Sequence, residues 1–156
     1  MALAVADITA ALKDHASSSG LFEYVEGHAV LSAHGRGLAW WCYVERMQPW
    51  AARSGLATTS AVLTYRVMIT MNTATHEPLD GVDPLVVDAA DALVRLYVGD
   101  FTLGGLVANV DIFGAGGKPL VAEAGWLTIG GDGGGRYRSM IITVPLVVND
   151  LWSEAP

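Results

Sequence analysis

Apolar side chains recur along this chain with two different periods, and the switches between them mark the elements. Near the start, Val5, Ile8, Leu12 and Ala16 return every three or four residues, which predicts a helix over about residues 2–17. Ser17, Ser18, Ser19 and Gly20 end it, with Gly20 suited to a left-handed C-terminal cap. The period then falls to two. Residues 21–26 read as a short strand, and residues 38–47, with Trp40, Trp41 and Tyr43, as a second strand covered on both faces. Residues 62–71 are the clearest strand, with Leu63, Tyr65, Val67, Ile69 and Met71 on one face and Thr64, Arg66 and Thr70 on the other.

Helical spacing returns at Asp83, which reads as an N-cap, with Pro84 at the first helical position and Gly99 closing the element. Leu85, Ala89, Leu93, Leu96 and Tyr97 form its expected apolar stripe, opposite Asp88, Asp91 and Arg95. Further strands are expected over residues 106–113, 125–129 and 136–148, the last two forming a hairpin around residues 130–135. In the final strand Arg138, Met140, Ile142, Val144, Leu146 and Val148 share a face. It ends at Asn149-Asp150, which leaves residues 151–156 as a tail. No repeat and no dividing linker interrupts this order. One α+β domain is expected: a mixed, mainly antiparallel sheet with two helices packed on one face.

Composition narrows the function classes. Hydrophobic residues make up 52% of the 156-residue chain and charged residues 16%, against about 25% charged in ordinary globular proteins. No apolar stretch reaches the roughly 18 residues of a membrane span. Low charge on a soluble chain points instead to surface buried against other subunits. The net charge of −7 argues against a sequence-reading nucleic-acid surface, which needs clustered Lys and Arg. It is compatible with a wall past which DNA slides. Cys42 is the single cysteine and cannot close an internal disulfide. The first residues lack a basic and then apolar leader pattern, so synthesis in the cytoplasm is expected.

Residues that invite chemistry fail on context. The glycines at 130–135 are followed by a strand pattern and not by Lys-Ser/Thr and a helix, and those at 114–117 by Lys118-Pro119. His15, His28, His34 and His76 have no third ligand at metal-binding spacing. No serine sits in a Gly-x-Ser-x-Gly elbow, and Cys42 lies mid-strand among aromatics. No catalytic residue, cofactor or metal is therefore expected. Trp40 and Trp41 point to opposite faces, so Trp41 either lies under a helix or anchors a neighbouring subunit. Trp50 and Trp152, in a loop and the tail, are expected at an interface, because Trp and Arg dominate interface hot spots. Arg36, Arg53, Asp132, Arg136 and Leu151, in or beside the loops and the tail, complete the expected contact set. The competing reading is a small-molecule binding module whose pocket is floored by Trp40, Trp41 and Tyr43, with His28 and His34 as its polar groups.

Three groups of segments carry a resemblance. Ser18-Ser19-Gly20-Leu21-Phe22-Glu23 precedes Gly27-His28. Gly99-Asp100-Phe101-Thr102-Leu103-Gly104-Gly105 precedes Val110-Asp111-Ile112-Phe113-Gly114-Ala115. Gly125-Trp126-Leu127 precedes a run from Met140 through Pro145 to Trp152. In this order they resemble the tail terminator (tail completion) proteins of long-tailed siphophages, particularly those infecting actinobacteria. The resemblance spans nearly the whole chain. It implies a mixed sheet flanked by helices and a homohexameric ring in the virion, at the head-proximal end of the tail. Such a ring caps the tail tube, stops its polymerisation and meets the head-side connector or stopper protein. Partners would be further copies of the chain, the tail-tube protein and the connector, with DNA only as passing cargo and no membrane. A stopper, adaptor or tail-tube subunit is the neighbouring reading. The family offers no catalytic residues.

Overall fold

A computed structural model describes residues 3–30, 35–130 and 135–153. Its first element, α1 (Val5–Ser19), buries Ile8, Leu12 and Ala16. The helix runs through the serines because their hydroxyls take up its last carbonyls, Ser18 bonding the His15 oxygen and Ser19 the Ala16 oxygen. Gly20 then caps it at φ 68°, a conformation that costs a glycine nothing. The strand expected over residues 21–26 shortens to β1 (Tyr24–Glu26), which runs parallel to β2 (Leu38–Pro49).

β2 is buried only over its first five residues, and both faces are exposed from Tyr43 onward apart from half-buried Gln48. Coverage on both faces thus holds for half of the strand. β1 pairs only with Ala39, Trp40 and Trp41, so beyond Trp41 the outer edge of β2 has no partner strand among the described residues. A register shift between Val44 and Arg46 inserts Glu45 as an extra residue. Such a bulge bends an open edge away from indiscriminate pairing.

β3 (Thr58–Asn72) and β6 (Gly135–Ser153) form the antiparallel centre of the sheet. The helix-side faces agree with the period-two pattern: Leu63, Tyr65, Val67, Ile69 and Met71 meet Met140, Ile142, Val144, Leu146 and Val148 in the core under both helices. The strand order is β1-β2-β3-β6-β4, where β4 is Asn109–Val110, and β5 (Val121–Ile129) pairs with β6 on the same edge as β4. Pro145 sits where β6 changes partner, between Thr143, opposite Val121, and Leu146, opposite Val110. Its carbonyl accepts the Asp111 N–H on that side. A residue's N–H and C=O point the same way in an antiparallel strand, so the donor missing from proline falls in the gap between β5 and β4.

Three expectations are corrected. The second helix, α2 (Val82–Gly99), has Gly81 at its N-cap and no side-chain cap. Asp83 lies inside the first turn and pairs with Arg138 instead, a charge-assisted contact that joins the helix to β6. The buried stripe is Val82, Val86, Ala89, Ala90, Leu93 and Tyr97, leaving Leu85 40% exposed. Most of residues 106–113 form turns, because Gly104 and Gly105 take left-handed conformations and Asp111 folds the following chain back on itself. Lastly, β6 does not stop at Asn149-Asp150. Asp150 adopts φ 51° within a bulge of β6 that sets Asn149, Asp150 and Leu151 against the single residue Ser60 of β3, which breaks the alternation and returns Leu151 to the core.

The sheet is curled, and the face away from the helices is buried as well, with Ala39, Met68, Thr70, Tyr137 and Ser139 at most 3% exposed. The result is the expected α+β fold, with helices on one face of a mainly antiparallel sheet.

Candidate interaction surfaces

Strand register assigns the expected contact residues to two ends of the sheet. At one end lie the C-terminus of β2, the start of β3 and the end of β6. Here Trp50 is half-buried with the Arg53 guanidinium 5.3 Å from its ring centre. The Trp50 N–H bonds the Ser60 carbonyl, and Trp152, 38% exposed, pairs with Thr59. Leu56, fully exposed, and Met47, 48% exposed, add apolar surface. Trp50, Arg53 and Trp152 are thus brought together at one end. Leu151 is not among them: it is 5% exposed and belongs to the core.

The most prominent aromatic at this end is one that period-two reading places in a strand. Phe113 is 92% exposed on a tightly held turn. The Asp111 carboxylate, 5% exposed, accepts the N–H groups of Gly114 and Ala115 at 3.0 Å and of Gly116 at 2.6 Å. Gly116 lies against Val62 so closely that a β-carbon there would come within 2.5 Å of it, and its carbonyl accepts from Gln48 Nε2 at 2.7 Å. Lys118 extends to Glu45 at 3.7 Å, and Glu45 also pairs with Arg66. The Arg66 guanidinium holds the Glu45 carboxyl below its ordinary range, aided by Lys118.

At the opposite end, the β5–β6 hairpin sets Trp126 across from Arg138. Trp126 is 50% exposed, with the Arg136 guanidinium 4.3 Å and that of Arg138 5.0 Å from its ring centre. Arg138 is fixed in turn, Nε donating to Asp83 Oδ1 at 2.6 Å and Nη1 to the Gly125 carbonyl at 3.0 Å. Beside this stack opens a cavity of about 490 Å³ lined by Thr73, Leu79, Asp80, Val82, Asp83, Trp126 and Arg136. Leu79 leaves 64% of its surface exposed there. Arg36, exposed just before β2, lies toward this end, since Leu38 pairs with Met71 and Met71 with Arg138. Asp132 and His34 fall outside the described residues.

Trp41 is corrected as an interface anchor. It is 8% exposed and stacks on Tyr43 with ring centres 6.0 Å apart, so it offers a neighbour little surface. Trp40 is fully buried on the other face, so the two indoles cannot floor one pocket. Among the described residues no group of three His, Cys, Asp or Glu side chains is placed to hold a metal. His15 bonds Asp100 at 3.1 Å and His28 lies 3.6 Å from Glu26. Burial pushes the Cys42 thiol up to about 12, which makes it a poor nucleophile. Sequence reading singles out neither Phe113 nor Trp126. The hairpin carries a signal for Trp126, because pairing Ile129 with Gly135 sets Trp126 opposite Arg138 by counting alone. Phe113 has no such signal. No protein-family model matches the sequence, and no curated protein matches it significantly.

Proposed function

We propose that this chain is a tail-terminator-like structural protein, which assembles into a ring that caps a phage tail tube and joins it to the head-side connector. The observation that carries this reading is a chain of low charge with two unlike ends, each bearing exposed aromatic and apolar side chains held by buried or ion-paired neighbours. A ring is a closed set of heterologous contacts, so every subunit needs two different patches. Patches containing Trp, Arg and Phe beside cavities are what interfaces use as anchors. The outer half of β2, with Tyr43, Val44 and Met47 exposed on an open edge, remains for a tube or connector subunit. A net charge of −7 suits a lumen that repels passing phosphates.

The deciding experiment measures the mass of the purified chain alone and after mixing with its tail-tube protein, by light scattering and negative-stain microscopy. Closed rings, or single chains that become rings on tube ends, are expected. Single chains that ignore tubes at every concentration would sink the reading. Open-ended fibres would reassign the chain to the tube itself.

A further inference from the structure

We infer that Phe113 of one copy docks into the cavity beside Trp126 of the next, and that this contact joins neighbours in the assembly. The inference rests on the ring reading above and names the contact that would close it. Phe113 projects from a turn fixed by three hydrogen bonds to buried Asp111, so little conformational entropy is lost when it is captured. The cavity of about 490 Å³ is floored by an indole that Arg136 and Arg138 already hold in place, and Leu79 supplies an apolar wall. Knob and hole cannot meet within one chain. Val121, just after the Phe113 turn, pairs with Thr143, while Trp126 pairs with Arg138 farther along β6, and Arg136 lies beyond that. The separation is on the order of 20 Å at about 3.3 Å per residue, more than a side chain spans. A second copy can supply what the first cannot, and because the two patches differ the contact is head-to-tail. Charge agrees in sign: Lys118, half-exposed and 3.7 Å from Glu45, stands on the knob side, and Asp80 and Asp83 outnumber Arg136 in the cavity lining.

Sedimentation across a concentration series tests this with the wild type, Phe113→Ala and Trp126→Ala. Phe113 is 92% exposed, so its removal leaves the fold intact, which the melting temperature of each variant checks. Both substitutions are expected to weaken self-association by roughly 30-fold or more. A second readout mixes separately prepared Ala115→Cys and Leu79→Cys chains under mild oxidation. A disulfide-linked dimer should form in the mixture and in neither preparation alone. Wild-type rings with variants that assemble at the same concentrations, and no crosslink in the mixture, would overturn the contact and leave the ring standing. A wild type that stays a single chain at all concentrations, with and without tube ends, would overturn both.

Discussion

Asp111 shows how much one side chain sets the shape of a surface. Its buried carboxylate accepts three successive backbone N–H groups, two on Oδ1 and one on Oδ2, and so turns what alternation reads as a strand into a pinned loop. Asn is nearly isosteric, but its amide nitrogen would face a backbone donor and leave at least one buried N–H unsatisfied. Asp111→Asn should therefore lower stability by roughly 1–3 kcal/mol, read as a shift in the urea midpoint at unchanged slope. A shift below about 0.5 kcal/mol would show that other contacts hold the turn. Asp followed three residues later by glycine is itself a turn signal. In this chain it competes with the apolar run Val107, Val110 and Ile112, and the run dominates when residues are read by period alone.

At the scale of elements, hydrophobic alternation is a sound guide wherever the sheet is regular. It places Leu63 to Met71 and Met140 to Val148 on the helix-side face, where both sets pack in the core. It fails where the bulge of β6 opposite Ser60 breaks the alternation. Asn149-Asp150 looks like a turn, yet Asp150 accepts the Thr58 hydroxyl at 2.7 Å and its N–H donates to Ser60 Oγ at 3.2 Å. The strand continues past the bulge, and Leu151 is inside where a tail was expected. Burial separates the expected contact residues into those left at the surface and those enclosed. Trp50, Arg53 and Trp152 converge on one end because loop and strand-end tryptophans rarely find full cover. Trp41 and Leu151 do not join them, since burial depends on neighbours that local sequence does not specify. Ser60 is the hinge pin of that end, because its hydroxyl also donates to the Arg53 carbonyl at 2.7 Å. Ser60→Ala removes the partner of both the Arg53 carbonyl and the Asp150 N–H, the two bonds that tie this end together. Hydrogen exchange should then quicken at Leu151 and Trp152 while Ile142 and Val144 keep their protection, as local opening requires. Equal acceleration along all of β6 would instead mean that the bulge is not an independent unit.

For the molecule as a whole, the pH range of stability follows from what the core encloses. Cys42 and Tyr97 are fully buried, and the Trp40 indole N–H lies beside the Tyr97 hydroxyl without reaching hydrogen-bond geometry. Burial is the main cause that raises both acids, the thiol from 9.0 to about 12 and the Tyr97 phenol further. The unfolded chain then loses its protons at lower pH than the folded one. Stability is therefore fully present below pH 9 and declines as pH rises, by up to about 1.4 kcal/mol per pH unit for each such group until its folded pKa is reached. The paired Glu45 acts in the opposite range. Its carboxyl is held below 4.5, so its contribution is present at neutral pH and fades on acidification. Guanidinium midpoints measured at pH 7, 9 and 10.5 should be level between the first two and fall at the third. Cys42→Ala should lower the midpoint at pH 7 through the cavity it leaves, yet show a shallower decline above pH 9, because one of the titrating groups is gone. A slope unchanged by that substitution would place the alkaline loss on the tyrosines alone. Slow reaction of native Cys42 with a thiol reagent at pH 8, against rapid reaction once unfolded, would separately establish that the thiol is closed off in the folded core.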